Sequence, residues 1–110
     1  MKTLAMPTHR MFQALGDEKR LAVLDCLLDG ERCVCELTEA TGLKQSLLSF
    51  HLGVLRNADL VSDRRVGKWG FYSINVESVV LLQSVLGRLG RAANTTSRCC
   101  NDPDCECRTG

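Results

Sequence analysis

Cysteine thiols are the side chains of this 110-residue chain whose number and spacing could do chemistry. There are seven, and an odd number cannot close completely into intramolecular disulfides. One is isolated, two are separated by a single residue, and four fall near the C-terminus: Cys26; Cys33 and Cys35; Cys99, Cys100, Cys105 and Cys107. In a reducing compartment, clustered thiols bind soft ions or respond to oxidation more often than they form structural disulfides.

The four C-terminal cysteines form our preferred candidate site. They lie in two pairs separated by a loop, Cys99 with Cys100 and Cys105 with Cys107. Three of these thiolates can converge on a pyramidal As(III) or Sb(III) centre, because thiolate ligands select soft ions. A structural zinc site would more usually show cysteines two to four residues apart, which the spacings CC and CEC fit poorly.

Cys33 and Cys35 form a second candidate site at the start of a predicted helix. Residues two apart on a regular helix point to opposite sides, so joint ligation would require an unwound first turn. The alternative is that both are small packing residues. Cys26 stands alone within a predicted helix, and we expect it to pack rather than to bind an ion.

Helices must position these thiols. The spacing of apolar residues and the glycines that follow predict four helices, over 8–15, 18–29, 34–41 and 45–58. Asp17 is expected to cap the second helix, along which four leucines recur at three- and four-residue spacing: Leu21, Leu24, Leu27 and Leu28. Only residues 42–44 separate the third and fourth helices, a spacing typical of a helix-turn-helix. Their shared apolar side would consist of Leu37, Leu48, Leu52 and Leu55.

The remaining segments complete a winged fold. The runs VSDRRV and FYSIN flank a turn bounded by glycines, which predicts a β-hairpin that must lean on the helices. A last helix over 76–89 carries more apolar residues than a small core needs, so we assign the surplus to a homodimer interface. We therefore predict a mainly α winged helix-turn-helix homodimer. Residues 1–92 would form the DNA-binding and dimerisation domain, and residues 93–110 a cysteine-rich tail.

Charge along the chain favours DNA as the partner. Residues 17–43 carry seven acidic and three basic side chains, whereas residues 44–72 carry two acidic and five basic ones. A local basic strip can bind phosphates without a high overall charge. The predicted DNA-binding residues are Gln45, Ser46, Ser49, Phe50, His51 and Arg56 on the fourth helix and Arg64, Arg65 and Lys68 on the hairpin. For His51, a structural role is the alternative to a phosphate contact. Trp69 could stack on DNA or pack within the protein.

Three blocks of the chain resemble, in order and spacing, the signature of the ArsR/SmtB family of metal- and metalloid-responsive repressors: ALGDEKRLAVLDCL, ERCVCELTEATGLKQSLLSFHLGVLRNADLV and DRRVGKWGFYSIN. The resemblance covers about Phe12 to Val76. It implies a homodimer that binds operator DNA and leaves it when an inducer binds. Lys44 departs from the pattern, since members often have a serine there that caps the recognition helix.

The resemblance also bears on the cysteines. The CVC at Cys33 to Cys35 is similar to that of arsenical repressors, in which a cysteine three residues later completes a trigonal thiolate set. Here that position is Thr38. Some arsenical repressors of the family also carry vicinal cysteines after the final helix, as this chain does. The family's Asp and His site for zinc or cobalt has no counterpart, because residues 76–91 contain no histidine.

The sequence thus predicts a DNA-binding repressor that is released when As(III), Sb(III) or an organoarsenical binds its thiolates. A repressor that responds to cadmium, lead or zinc, or to thiol oxidation, is the alternative. We expect no catalytic residues and no organic cofactor, because no C-x-x-C motif, phosphate loop or nucleophile-histidine pairing is present. The chain shows no signal segment and no apolar run long enough to span a membrane, so a cytoplasmic location is expected.

Overall fold

The computed structural model describes residues 2–92, with side chains from residue 8 onward. This part of the chain contains five helices and three strands. In chain order they are α1 (Lys2–Leu15), α2 (Glu18–Cys26), β1 (Arg32–Cys33), α3 (Val34–Thr41), α4 (Gln45–Asn57), β2 (Val61–Val66), β3 (Trp69–Ile74) and α5 (Val76–Ala92). The order and contacts of these elements confirm the predicted winged helix-turn-helix. The first and last helices are longer than predicted, and no helix of the described part is long and apolar enough to cross a bilayer.

The centre of the hydrophobic core lies at the contact between α3 and α4, the two helices of the helix-turn-helix. The predicted leucines of its shared apolar side are each at most 1% exposed: Leu37, Leu48, Leu52 and Leu55. The prediction for α2 is only partly correct, because Leu21 and Leu28 are 51% and 69% exposed while Val23 is fully buried. The reason is geometric. Leu21 lies about 200° around the helix from Val23, and Leu28 follows the C-cap residue Leu27, outside the helix.

A side chain caps the N-terminus of α2, whereas the N-terminus of α4 has no side-chain cap. Asp17 is the N-cap of α2 and accepts from the backbone N–H groups of Lys19 and Arg20 at 2.8 and 3.3 Å, which confirms the predicted cap. Partial burial acts to raise the pKa of Asp17, but the hydrogen bonds from Arg20 and Lys19 outweigh it and leave the pKa below its ordinary value. Lys44 occupies the N-cap position of α4 and makes no side-chain cap hydrogen bond, as its departure from the family pattern suggested.

The turn between α3 and α4 requires glycine at its first position. Gly42 is the C-cap of α3 with φ 73° and ψ 6°, in the left-handed region, and its N–H donates to the carbonyl of Thr38. A side chain in this conformation clashes with the following carbonyl. The direction in which the recognition helix leaves the turn therefore depends on this residue.

Two glycine-to-alanine variants should change stability in opposite directions. Gly42→Ala should destabilise the domain by about 1 kcal/mol, because alanine is strained at φ 73°. Gly53→Ala should stabilise it by about 0.5–1 kcal/mol, since Gly53 lies within α4 and an added Cβ meets nothing within 4 Å. Urea unfolding at one fixed protein concentration measures both. Equal changes in the free energy of unfolding for the two variants would contradict the assignment of Gly42 to the left-handed region.

The wing is a three-stranded antiparallel sheet of order β1-β3-β2, not the two-stranded hairpin expected. The predicted hairpin pairs Val61 with Ile74 through to Val66 with Trp69. The additional strand β1 has two residues, and it pairs Cys33 with Phe71. A strand this short shows no alternation in the sequence, which is why the prediction missed it. As a consequence, the wing is hydrogen-bonded to the segment that carries the first cysteine of the CVC sequence.

The last helix carries the apolar surplus that the sequence predicted. Four large apolar side chains of α5 are between 54% and 67% exposed in the single chain: Val76, Val80, Leu86 and Leu89. Phe12 on α1, which contacts α5, is 39% exposed. An exposed apolar surface of this kind is typical of a site of association.

Candidate nucleic-acid interface and thiol pair

The recognition helix α4 presents polar and aromatic side chains to solvent, while its buried leucines, Leu48, Leu52 and Leu55, face the core. The exposed residues of this surface are Gln45, Ser46, Ser49 and Phe50, all of them predicted from the sequence. Gln45 and Ser49 can hydrogen-bond to base edges or phosphates, and Phe50, which is 60% exposed, can contact a thymine methyl group. Arg56 is also exposed, but its guanidinium lies 3.4 Å from the carboxylate of Asp63.

His51 lies apart from this surface. It is only 4% exposed, and the guanidinium of Arg20 donates to its Nδ1 at 3.2 Å. The same guanidinium donates through Nε to the carbonyl of Ala14, so the contact ties α4 to α1 and α2. The Phe50 ring packs edge-on against the imidazole, with 5.2 Å between centroids. This burial agrees with a structural role for His51, the alternative to a phosphate contact given by the sequence. It leaves the imidazole without an exposed edge for a phosphate.

The basic residues of the wing differ in their surroundings. Arg64 donates two hydrogen bonds to the carboxylate of Glu31, at 3.0 and 2.7 Å, and its guanidinium lies 5.0 Å from the centroid of the Phe71 ring. The hydrogen bond from Arg64 lowers the pKa of Glu31, and the carboxylate in turn raises the pKa of Arg64. Arg64 therefore braces the wing against the segment before β1. Arg65 and Lys68 are exposed and make no ion pair with the described residues.

A cleft of about 520 Å³ separates the recognition helix from the wing. Its wall includes Val34, Cys35, Thr38 and Glu39 from α3, Gln45 and Ser49 from α4, and Asp63, Arg65, Lys68, Trp69, Gly70 and Tyr72 from the sheet and its turn. Residues predicted to contact DNA thus line the same space as one of the thiols. Nothing in the sequence signalled this, because Cys35 and Lys68 are brought together only by the pairing of β1 with β3.

The thiols of Cys33 and Cys35 are neighbours, with 2.7 Å between their sulfur atoms. The expectation that helix geometry would separate them is wrong, because Cys33 is not helical. It ends β1 and forms the N-cap of α3, with φ −81° and ψ 161°. Its side chain can therefore turn towards Cys35 without any unwinding of the helix. Cys33 is buried and Cys35 is exposed at the cleft.

Neighbouring groups affect the pKa of the Cys33 thiol and limit the number of sulfur ligands at this site. The Cys35 thiol raises the pKa of the Cys33 thiol above its ordinary value. The N–H of Cys33 donates to the Glu36 carboxylate at 3.0 Å, which helps to lower the pKa of Glu36. Thr38 occupies the position where a third thiol would complete the set, and its hydroxyl donates to the carbonyl of Val34 at 2.9 Å. The pair therefore offers two sulfur ligands.

The other cysteine predictions have different outcomes. Cys26 is half-buried and packs against the core, as expected for a structural thiol. Among the described residues, no three His, Cys, Asp or Glu side chains lie close enough together to hold a metal ion. The preferred site lies outside the described residues, and it stays a prediction: Cys99, Cys100, Cys105 and Cys107.

The sequence of this chain is similar to those of bacterial regulators of the arsR family. The family model described as bacterial regulatory protein, arsR family, matches residues 17–63. The arsenical resistance operon repressor of Bacillus subtilis is 44% identical over 72 residues, which are 64% of this chain and 69% of that protein. The arsenic resistance transcriptional regulator ArsR1 of Pseudomonas putida is 43% identical over 68 residues, 61% of this chain and 53% of the relative.

A solved structure agrees with the fold. The homodimeric winged helix-turn-helix DNA-binding domain Mb0332 from Mycobacterium bovis, described as a possible ArsR-family transcriptional regulator, superposes with a TM-score of 0.67. It is 32% identical in sequence, and the match covers 83% of this chain and 84% of the other.

Proposed function

The chain belongs to the arsR family of bacterial transcriptional regulators, and from this premise we propose that it is a repressor released from its operator when trivalent arsenic binds to cysteine thiolates. It would bind DNA as a homodimer. The observation that supports the thiol dependence of this release is the 2.7 Å between the sulfur atoms of Cys33 and Cys35, at the edge of the cleft between recognition helix and wing. Two adjacent thiols, one of them exposed, fit a soft ion by the chemistry of their sulfur ligands.

The DNA-binding half of the proposal rests on the exposed surface of α4 and on the wing. Gln45, Ser46, Ser49 and Phe50 would enter the major groove, while Arg65 and Lys68 would contact phosphates beside it. Arg64 is braced by Glu31, so we expect it to hold the wing in place more than to bind DNA. The exposed apolar side chains of α5 would form the dimer interface, which spaces the two recognition helices.

The C-terminal cysteines are proposed as the site for inorganic As(III). Arsenous acid can form three bonds to sulfur, whereas the pair of Cys33 and Cys35 supplies two and the described part of the chain adds no third. The tail after residue 92 carries four more thiols, from which Cys99, Cys100 and either Cys105 or Cys107 would complete a three-sulfur set. By linkage, an inducer that weakens DNA binding is itself bound more weakly by the DNA-bound protein, typically by about 5- to 150-fold.

Titration of the reduced protein on fluorescent operator DNA tests this function. Arsenite should lower the anisotropy of the complex formed by the full chain. The variant C99S/C100S should bind DNA normally and resist arsenite, while the matched control C26S should respond like the unmodified chain. If arsenite leaves the unmodified complex intact, the proposal is wrong. If release persists in C99S/C100S, the arsenite site moves to Cys33 and Cys35.

The same thiol pair favours thiol oxidation as a second candidate signal. Sulfur atoms 2.7 Å apart are well placed for oxidation to a disulfide by a peroxide, with the two electrons passing to the oxidant. Peroxide should then release DNA in buffer that contains a chelator and no arsenite, and C33S/C35S should abolish the response. Peroxide-insensitive DNA binding would exclude this candidate, and parallel titrations with cadmium, lead and zinc would show whether a metal cation replaces arsenic as the signal.

A further inference from the structure

We propose that the tip of the wing, residues 65–69, reads the minor groove of DNA and selects A·T base pairs there through the indole N–H of Trp69. The inference rests on the DNA binding in the proposed function and is independent of the signal that releases the protein. It adds a specificity-determining contact outside the recognition helix. Trp69 lines the same cleft as Gln45 and Ser49 of α4, so one duplex can contact both elements.

The tip is exposed and narrow. All five of its residues are exposed, and only Gly67 and Lys68 separate the paired strands β2 and β3. Gly67 has φ 59°, as expected for a two-residue hairpin turn with glycine at its first position. Strand β1 pairs only with residues 71 and 72 of β3, so the tip itself is two strands wide. The end of such a ribbon suits a groove about 6 Å wide.

An apolar pair covers one face of the tip. Val66 and Trp69 are directly opposite each other in the register of β2 and β3, so their side chains share a face. They are 48% and 51% exposed. Within the part of the chain that the structure describes, Trp69 packs neither in the hydrophobic core nor against another aromatic ring. Proteins that bind the minor groove combine apolar side chains with Arg or Lys at such surfaces.

Two cations flank this apolar pair. Arg65 precedes Val66 on β2 and therefore lies on the opposite face, while Lys68 lies in the turn. Neither makes an ion pair with the described residues, so both are available to the phosphates on either side of a groove. The charge beside the apolar pair thus favours DNA as the occupant of this surface.

The side chains of the tip can donate hydrogen bonds but cannot accept them. The polar groups of Arg65, Lys68 and Trp69 are donors only. The indole N–H of Trp69 forms no hydrogen bond with the described residues. In the minor groove an A·T pair presents only acceptors, whereas a G·C pair adds the amino group of guanine, which is a donor. An indole N–H that faces this amino group stays unpaired, so the tip should reject G·C.

Inosine provides the test, because an inosine·C pair lacks the guanine amino group in the minor groove but keeps the major-groove pattern of G·C. The full chain, reduced and without arsenite, first selects its duplex from a random-sequence library. Hydroxyl-radical footprinting then locates the minor-groove positions protected outside the sites of the recognition helices. Replacing A·T by G·C there should weaken binding by about 5- to 150-fold, measured by anisotropy, whereas inosine·C should retain most of the affinity.

Two variants identify the reading group. Trp69→Phe removes the N–H and keeps an aromatic ring, so the preference for A·T over G·C should fall by about 2- to 12-fold. The salt dependence should stay the same, because no charge is lost. The matched control Tyr72→Phe removes one donor from the other face of the same strand and should leave the preference unchanged. An unchanged preference in Trp69→Phe overturns the role of the indole.

Fluorescence reports on the tip directly, since Trp69 is the only tryptophan in the sequence. Binding of the A·T duplex should quench its emission. Emission that instead changes with protein concentration in the absence of DNA would assign the apolar pair to a contact between copies of the chain and overturn the inference.

The outcomes also separate this inference from the proposed function. If the chain selects no duplex, both fail. If it binds DNA and discriminates against G·C but ignores arsenite, the proposed release fails and the reading of the minor groove stands. If the A·T, G·C and inosine·C duplexes bind equally well, or if G·C is selected at the protected positions, only this inference is wrong.

Discussion

Replacing Leu48 by alanine should destabilise the domain by about 2–5 kcal/mol, whereas the same change at the adjacent Leu47 should cost less than about 1 kcal/mol. Leu48 is fully buried among the leucines shared by α3 and α4, so its truncation leaves a cavity between two helices. Leu47 is 38% exposed on the same helix. Because domains of this kind are stable by only about 5–15 kcal/mol, the first variant loses a large part of its stability.

Urea unfolding followed by circular dichroism measures both variants, at one protein concentration because the proposed dimer would unfold in a concentration-dependent way. The pair is well matched, since both substitutions remove the same atoms from the same helix. The loss at Leu48 should also weaken DNA binding at temperatures where the variant begins to unfold. Similar losses at both positions would mean that α4 packs in a different rotation, and Gln45 and Ser49 would then no longer form its exposed surface.

Parts of the fold could be read from the sequence because local signals and tertiary packing agree there. The turn after α3 is an example, since Gly42 takes the left-handed conformation that its position predicts and Leu37 and Leu48 meet across it. The hairpin was predicted for the same reason, from β-prone runs on both sides of a glycine-bounded turn. In α2 the periodicity was ambiguous, because Leu21 has the right spacing but lies on the exposed side.

The candidate site was harder to predict, because it depends on contacts between distant residues. Glu31 and Arg64 are 33 positions apart, and only the folded sheet brings them together. The two-residue strand β1 leaves no periodic signal, yet it makes Cys33 extended and so places its sulfur beside that of Cys35. Regular helix geometry, if it applied to both cysteines of the CVC sequence, would point their thiols to opposite sides. That expectation is wrong because Cys33 is not helical. The tail thiols are predicted from spacing alone and lie outside the described residues.

Removing both free cations of the wing, in the variant R65A/K68A, should weaken binding to all DNA sequences to a similar degree. Arg65 and Lys68 are exposed and unpaired among the described residues, so both are available to phosphates. Each phosphate contact contributes about 0.9 to the slope of log K against log salt concentration. With two substitutions in each subunit of the proposed dimer, the slope should become shallower by about 3 to 4, as measured by anisotropy at several salt concentrations.

The matched control is Arg64→Ala, which removes a cation next to Arg65 on strand β2. The Glu31 carboxylate offsets that charge, so the slope should change by less than half as much per substitution as at Arg65 or Lys68. Circular dichroism would verify that the wing variants remain folded. If Arg64→Ala flattens the salt dependence as strongly as the loss of Arg65, then DNA must break the pair with Glu31 on binding. Arg64 would in that case be a phosphate ligand, as the sequence predicted, and Glu31 would be its competitor in the free protein.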